Sequence, residues 1–383
     1  MADDKKCRAC GNFFTDKSLL RLPGMPGAVQ NLPADRDEAI MSGVVLDVRQ
    51  CSFCGLVQLS NDPVPYYKDV IRAGSFSPSM RARQHNEFKI FIERFSLMGK
   101  NILEIGSGGG EYLSILNEFP VNAFGMEHNP DLNKIANEKG LKTFQAYPTD
   151  LTEPLEGIMF DAVISINFLE HAPEPGAFLR AAAKLLSENG VGMIGVPDFE
   201  FELQDNYLFS FMSDHLLYFS SDSLRNVLTL NGFHVLDVFR NKKLNVVTAY
   251  FKKREQWNLV GPMEEFDNFN KAVNDYMDSI LNKGGRIVLW GASHLAFSIV
   301  SASKTENKIS YIVDSAPFKQ GRFSPASGLE IFSPEHLLED PVDTIIVMSP
   351  EYSEEIVEII KEKFSNFIHH IATFKNGGLA IVQ

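Results

Sequence analysis

Little in this chain points to a membrane, a nucleic acid or an oxidising compartment. No stretch of about 18 consecutive apolar residues occurs, so no membrane-spanning helix and no membrane partner are expected. The first residues, Met1-Ala-Asp-Asp-Lys-Lys6, are polar and hold no apolar signal core, so the expected location is the cytoplasm. Positive charge is short, with 36 Lys and Arg against 49 Asp and Glu for a net charge of −13. Non-specific nucleic-acid binding depends on neutralising phosphates and is not expected, although a local basic cluster can still hold a small anionic substrate. Cysteine is scarce as well, four residues in 383. Nothing suggests the compartment in which they would pair as disulfides. What remains, 44% hydrophobic and 22% charged residues, is ordinary for a soluble globular protein with room for two or three domains. Phe is abundant at 30 residues, which fits large aromatic cores.

The four cysteines fall in two C-x-x-C pairs, Cys7/Cys10 and Cys51/Cys54. Each pair can offer two thiolates to one tetrahedral ion from a single turn, and Gly11 and Gly55 follow directly. Four thiolates suit a structural Zn²⁺ with no open position for catalysis. The gap between the pairs is longer than in compact ribbons, so an inserted loop is expected over the turn-rich Pro23–Gly27 and Gln30–Pro33. Leu46–Gln50 and Leu56–Leu59 read as short strands around the second pair.

The stretch that organises the chain is Lys100–Glu111. An apolar run, Asn101–Ile105, carries Glu104 inside it. Gly106-Ser-Gly-Gly-Gly110 follows, and Tyr112–Leu116 opens a helical pattern. Strand, glycine turn and helix leave the backbone bare where a nucleotide-like ligand can lie. A second strand, Asn122–Glu127, ends in an acid able to accept from both ribose hydroxyls. Phe160–Asn167 is a further apolar strand, followed by Phe168-Leu-Glu-His-Ala-Pro173.

The E-x-G-x-G-x-G spacing, the acid at Glu127 and the D-x-V…L-E-H run resemble, in that order, the motifs of class I S-adenosylmethionine (AdoMet)-dependent methyltransferases. That resemblance implies AdoMet on Glu104, Gly106, Ser107, Gly108 and Gly110, with Glu127 on the ribose. Gln145 and Asp150 become candidates to face the adenine, and Asn167 and Phe168 to lie near the transferable methyl. Glu170-His171 could be catalytic, but in this superfamily the pair usually organises the loop. Helices over Gln84–Leu97, Leu132–Lys139 and Pro175–Leu186, with strands over Thr143–Tyr147 and Val191–Val196, give an alternating α/β core with a mainly parallel sheet. Asn189-Gly190 is expected to end the third of those helices.

A cysteine-knuckle segment ahead of such a core is similar to the three-domain C-methyltransferases of nucleotide-linked deoxysugars. Leu46–Leu59, reading LDVRQCSFCGLVQL, resembles that family's zinc domain, and Tyr66-Tyr-Lys-Asp69 and Ser75–Met80 resemble its lead into the core. The family's substrate-facing tyrosines are replaced here by Val70–Gly74. Arg72, Arg81 and Arg83 are candidates to meet a phosphate. Leu208–Phe219 resembles the family's YHEHxxYF segment, with His215, Tyr218 and Phe219 in place, Asp214 replacing the Glu conservatively and Met212-Ser213 departing from the leading Tyr-His. The resemblance makes His215 the candidate base, with Asp214 orienting or charge-coupling a neighbour. Ser221 is the expected cap of the following helix, and Val235–Arg240 and Asn245–Lys252 are expected as antiparallel strands.

Beyond a polar stretch with a helical pattern at 254–285, strands Arg286–Trp290, Ile309–Asp314 and Thr344–Met348 build a smaller Rossmann-like unit. Tyr311–Leu337 resembles the same family's C-terminal domain, keeping Asp314, Lys319-Gln-Gly321 and Pro325. The expected division is a zinc-binding domain at 1–83, a class I core at 84–253, a connecting helix at 254–285 and a C-terminal Rossmann-like domain at 286–383. The expected function is methyl transfer from AdoMet to a nucleotide-linked sugar or similar small acceptor, with carbon beside a keto group as the candidate position. Methyl transfer to oxygen or nitrogen and a non-catalytic AdoMet- or sugar-nucleotide-binding role are the alternatives.

Overall fold

The computed structural model describes residues 5–14, 17–30, 32–69, 77–204, 208–241, 245–375 and 378–383. Two compact units divide the chain, Met1–Gln256 and Trp257–Gln383.

The strands of the first unit are β1 (Leu20–Pro26), β2 (Gly43–Gln50), β3 (Val57–Leu59), β4 (Asn101–Ile105), β5 (Asn122–Glu127), β6 (Thr143–Gln145), β7 (Phe160–Ile166), β8 (Leu186–Pro197), β9 (Leu217–Tyr218), β10 (Phe233–Asn241) and β11 (Val246–Lys253). Seven of them form the main sheet in the order β10-β11-β8-β7-β4-β5-β6. The pairs from β6 to β8 are parallel, and β11 and β10 close the other edge antiparallel. A parallel sheet is covered on both faces, which is why β4 and β7 read as near-continuous apolar runs. One face packs on Phe88, Phe91, Leu113 and Leu116. The other packs on Phe178, Leu179, Leu185 and Phe233. Phenylalanine fills these layers: Phe88, Phe91, Phe160, Phe178, Phe219, Phe233 and Phe251 are all fully buried.

Several boundaries differ from the sequence reading, each for a local reason. The helix expected from Gln84 starts earlier, at Pro78, because Ser77 caps the Met80 amide and Pro78 suits a first helical position. Ser220, not Ser221, caps Ser221–Leu230; its hydroxyl accepts from the Ser223 amide and the Ser223 hydroxyl returns to the Ser220 amide. The helix at Pro175 stops at Leu185, ahead of Asn189-Gly190, because buried Leu186 pairs with Phe160 and begins β8.

A second sheet has the order β1-β2-β3-β9. Its first three strands come from the cysteine segment and its fourth from the segment just after His215. Val57 pairs with Tyr218 and Gln58 with Leu217. The end of the stretch expected as acceptor-facing, Leu217–Tyr218, is thus an edge strand of the knuckle sheet.

The second unit holds β12 (Ile287–Trp290), β13 (Tyr311–Val313), β14 (Arg322–Phe323), β15 (Glu330–Phe332), β16 (Thr344–Val347), β17 (His370–Lys375) and β18 (Gly378–Ile381). Their order is β14-β15-β13-β12-β16-β17-β18, with five parallel strands between antiparallel edges. The helix expected as a connector, observed at Val260–Leu281, belongs to this unit: Val273, Met277 and Ile280 are buried against Ile287, Leu289 and Ile299. Among the described residues, no helix is long and apolar enough to cross a membrane.

Candidate functional site

A cleft of about 650 Å³ opens at the carboxyl ends of β4, β5 and β7 in the first unit, the place where parallel α/β sheets bind ligands. The turn after β4 forms its floor. Gly106 sits at φ 80°, and a Cβ there would come within 2.3 Å of the Phe168 ring. Gly110 sits at φ 88° at the start of helix Glu111–Leu116, and a Cβ would meet Leu141 at 2.2 Å. Both positions therefore require glycine.

Glu127 ends β5 beside this turn. Its Oε2 accepts from the Gly108 amide at 2.8 Å and its Oε1 from the Asn129 amide at 2.8 Å. Burial pushes the carboxyl up, opposed by those amides. The carboxylate is held facing the cleft, with lone pairs left for the hydroxyls of a ribose. Glu104, 2% exposed, and Ser107 line the same floor. Asn167 lies at the end of β7 in the left-handed region, φ 52°, its amide donating to the Gly195 carbonyl. Asn167 and Phe168 both line the cleft.

Gln145 and Asp150, the candidates for the adenine, do not line it. Gln145 pairs with Glu127 across β6 and β5, but its side chain is exposed. The Asp150 carboxylate is clamped by Arg180 through two bonds of 2.7 Å, which hold it below the usual carboxylate range. The aromatic groups here are Tyr147, edge-on to His128 at 5.8 Å and to Tyr67 at 6.0 Å. Arg81 and Arg83 are also committed elsewhere. Arg81 binds Glu118 and the Ser114 hydroxyl, and Arg83 donates to the Ser79 carbonyl. Arg72, with Val70–Phe76, lies outside the described residues.

His215, Asp214, His171 and Glu170 meet at the other end of the cleft. The His171 Nδ1 bonds the Asp214 carbonyl at 2.8 Å. The His171 and His215 rings meet edge to face at 4.7 Å. Burial, and then the neighbouring His171, draw His215 down to about 3, so the imidazole is neutral across the physiological range. The Asp214 carboxylate does not touch His215. Its Oδ1 accepts from the Tyr66 hydroxyl at 2.9 Å and from the Val29 amide at 3.3 Å. Asp214 thus orients the knuckle segment rather than the ring. Ser213 donates to the Pro26 carbonyl, and the Met212 amide donates to the Tyr218 hydroxyl at 3.0 Å. The two departures from the expected segment therefore dock it onto β1 and β9.

Glu202, Asn245, Tyr67 and Lys68 also line the cleft and were not singled out from the sequence as site residues. Asn245, in the left-handed region at φ 51°, donates to Glu202 Oε1 at 3.1 Å. Burial pushes the Glu202 carboxyl up. No spacing links Glu202 to Asn245. Tyr67-Lys68, in contrast, sits in the quoted Tyr66–Asp69 run.

The four cysteines form one cluster, their Sγ atoms all within 4.8 Å of one another. Cys7 and Cys54 stand 3.6 Å apart, as do Cys10 and Cys51. Four thiolates on one Zn²⁺ would stand about 3.8 Å apart, so the set fits. The two turns repeat one geometry: the Gly11 amide bonds the Cys7 carbonyl and the Gly55 amide the Cys51 carbonyl, each at 2.9 Å. Gln58 Nε2 donates to Cys7 Sγ at 3.1 Å. Thiolates this close cannot all ionise unless a cation neutralises them. The bond from Cys54 draws Cys7 down to about 5, and that same bond pushes Cys54 up.

Known proteins match this chain along most of its length. The family described as "Methyltransferase domain" matches residues 80–238. The family described as "C-methyltransferase C-terminal domain" matches residues 240–372. The chain is 23% identical to C-methyltransferase NovU of Streptomyces niveus, over 94% of this chain and 93% of that protein. A ubiquinone biosynthesis O-methyltransferase of Xanthomonas oryzae is 32% identical over 25% of this chain, which spans 43% of that relative's length. Among solved structures, an S-adenosylmethionine-dependent methyltransferase from Clostridium acetobutylicum aligns with a TM-score of 0.37 and 12% identity, over 45% of this chain and 92% of its own.

Two measurements test this geometry. Glu127→Ala should weaken AdoMet binding by roughly 1.5–3 kcal/mol, the worth of hydrogen bonds to a charged group; unchanged affinity in titration calorimetry would remove Glu127 from the ribose. Tyr66→Phe leaves the buried Asp214 carboxylate with one donor fewer and should cost about 1–3 kcal/mol of unfolding free energy, read in a denaturant titration.

Proposed function

We propose that this S-adenosylmethionine-dependent methyltransferase methylates a nucleotide-linked sugar, or a similar small metabolite, at carbon beside a keto group, with His215 as the base. The observation that carries this reading is a neutral imidazole in the same cleft as the glycine turn and Glu127. The end-to-end similarity to a C-methyltransferase supports the choice of carbon. Transfer to oxygen or nitrogen is the second reading, favoured by the core's likeness to an O-methyltransferase.

In this reading Gly106, Ser107 and Gly108 leave room for the cofactor's backbone contacts, Glu104 and Glu127 hold its polar ends, and Asn167 stands at the strand end toward the methyl. Gln145 and Asp150 stay outside it. Bound AdoMet supplies an electrophilic methyl on sulfur. The chain's own part is positioning, since an in-line displacement depends on the approach of the two reactants. His215 removes the α-proton, and the resulting enolate carbon is the nucleophile. Segment 1–83 supplies one wall of the cleft through Val29, Gln30, Tyr67 and Lys68, and segment 84–253 supplies the rest.

A structural Zn²⁺ on Cys7, Cys10, Cys51 and Cys54 belongs to the same reading, with no chemistry of its own.

His215→Ala should lower turnover by about 10²–10⁴-fold, the usual contribution of a general base, with AdoMet affinity unchanged. In deuterated solvent it should also stop exchange of the acceptor's α-proton, followed by mass spectrometry over a panel of nucleotide sugars. Full turnover by the variant removes His215 as the base. For the metal, Cys51→Ser should lower both zinc content and thermal stability, because a structural site contributes folding energy directly; intact zinc-free protein with two disulfides would contradict the site.

A further inference from the structure

Glu170 is the least explained group in the cleft. Its carboxyl is 1% exposed, yet Oε2 has no hydrogen-bond partner among the described residues. Its own backbone amide is the one donor that opposes the effect of burial on the carboxyl. A buried carboxylate with an oxygen left without a donor is costly, so such a group either keeps its proton or faces a charge that comes and goes. Two rings face it. His171 Nε2 stands 3.9 Å from Oε1. His171 and His215 each place a ring nitrogen, and Glu170 an oxygen, within 4.8 Å of one another. The His171 ring is fixed by the bond from Nδ1 to the Asp214 carbonyl, which leaves Nε2 as the unprotonated nitrogen on the Glu170 side. The frame is rigid: the Leu216 amide bonds the Glu170 carbonyl at 2.9 Å, tying the turn Leu169–His171 to the segment that carries His215.

We infer that Glu170 is the proton-holding partner of His215: the α-proton lifted by the imidazole passes to the Glu170 carboxylate, and the ionised carboxylate is the form ready for turnover. This rests on the carbon-methylation reading for the identity of the proton. The acceptor C–H bond breaks and its electron pair stays on carbon as the enolate. The proton bonds to a His215 ring nitrogen and then to a Glu170 oxygen. The carbon bonds the methyl as the methyl–sulfur bond breaks, with that pair going to sulfur. The proton on Glu170 leaves to water with the product. Glu170 acts through His215 and is a positioning residue.

The need for such a partner is electrostatic. An imidazole that burial holds near 3 cannot by itself keep a proton taken from carbon. Burial pushes Glu170 the other way, up to about 8, so the pair together is a far stronger proton acceptor than His215 alone. The remaining ionisable groups facing the cluster are few. Asp214 turns its carboxylate to Tyr66, and the Tyr218 hydroxyl is engaged with Met212. Glu202 and Lys68 line the same cleft, and Ile194–Pro197 of β8 carries no ionisable side chain.

The ionised fraction of Glu170 grows as pH rises through about 8. Wild-type turnover should therefore climb through that pH and level above it. The experiment uses the full chain with AdoMet and a nucleoside-diphosphate keto-deoxysugar, following S-adenosylhomocysteine release and α-proton exchange in deuterated buffer from pH 5.5 to about 9.5. Glu170→Gln should lower both rates by about 10²-fold and flatten the climb, with AdoMet affinity unchanged. Glu170→Asp should restore part of the rate together with a pH-dependent limb, which keeps the test open if the Gln variant folds poorly. A Gln variant with wild-type rates and an unchanged climb overturns the inference. So does a second metal equivalent that is lost on Glu170→Gln, which would make the cluster a cation site. A wild type that exchanges no α-proton overturns the carbon reading instead. In that case the pH climb of S-adenosylhomocysteine release still decides for or against Glu170 with an oxygen or nitrogen acceptor.

Discussion

Two residues of backbone pairing, Val57 with Tyr218 and Gln58 with Leu217, join the cysteine knuckles to the segment that carries His215. The rest of the cleft's far wall depends on that seam. Gln58 faces both ways: its backbone lies in the ladder and its amide nitrogen reaches Cys7 Sγ. Around it, Tyr66 and Val29 hold Asp214, Ser213 reaches Pro26, and Asn226 donates to the Cys54 carbonyl. A metal at the knuckles would therefore be one short strand away from the His215 end of the cleft. Its effect there would travel through main-chain hydrogen bonds.

The two ends of the cleft are built on different principles. The end at the glycine turn is made by backbone, with a strand-end carboxylate and the amides that brace it. The end at His215 is made by buried ionisable side chains, Glu170, His171, Glu202 and His215, each pushed by burial toward its neutral form. A shift toward the neutral form lowers the cost of burying each of these groups.

What the sequence made legible follows this division. Order of strand, glycine turn, helix and acid is local, and local order survives in sequence, so β4, the turn and Glu127 could be read directly. The paired cysteines were equally plain. The adenine candidates were not, because Gln145 and Asp150 were chosen by position along the chain. The side chain of one points to solvent and that of the other goes to Arg180. Asp214 was expected to orient or charge-couple a neighbouring group; the group its carboxylate meets, Tyr66, lies 148 residues away, where local reading does not reach. Glu202 with Asn245 gave no signal at all, since they meet only when helix Phe199–Gln204 folds back on the start of β11.

The four-stranded knuckle sheet also bears on the order of synthesis. Its first three strands leave the ribosome early, and their closing strand, β9, only after most of the methyltransferase core. Until then β3 is an open edge, a row of unpaired amides and carbonyls of the kind that recruits foreign strands. The nascent knuckle therefore passes through an interval of vulnerability to mispairing. That interval ends only with a contact of long sequence separation, which closes slowly because the chain between must first be gathered.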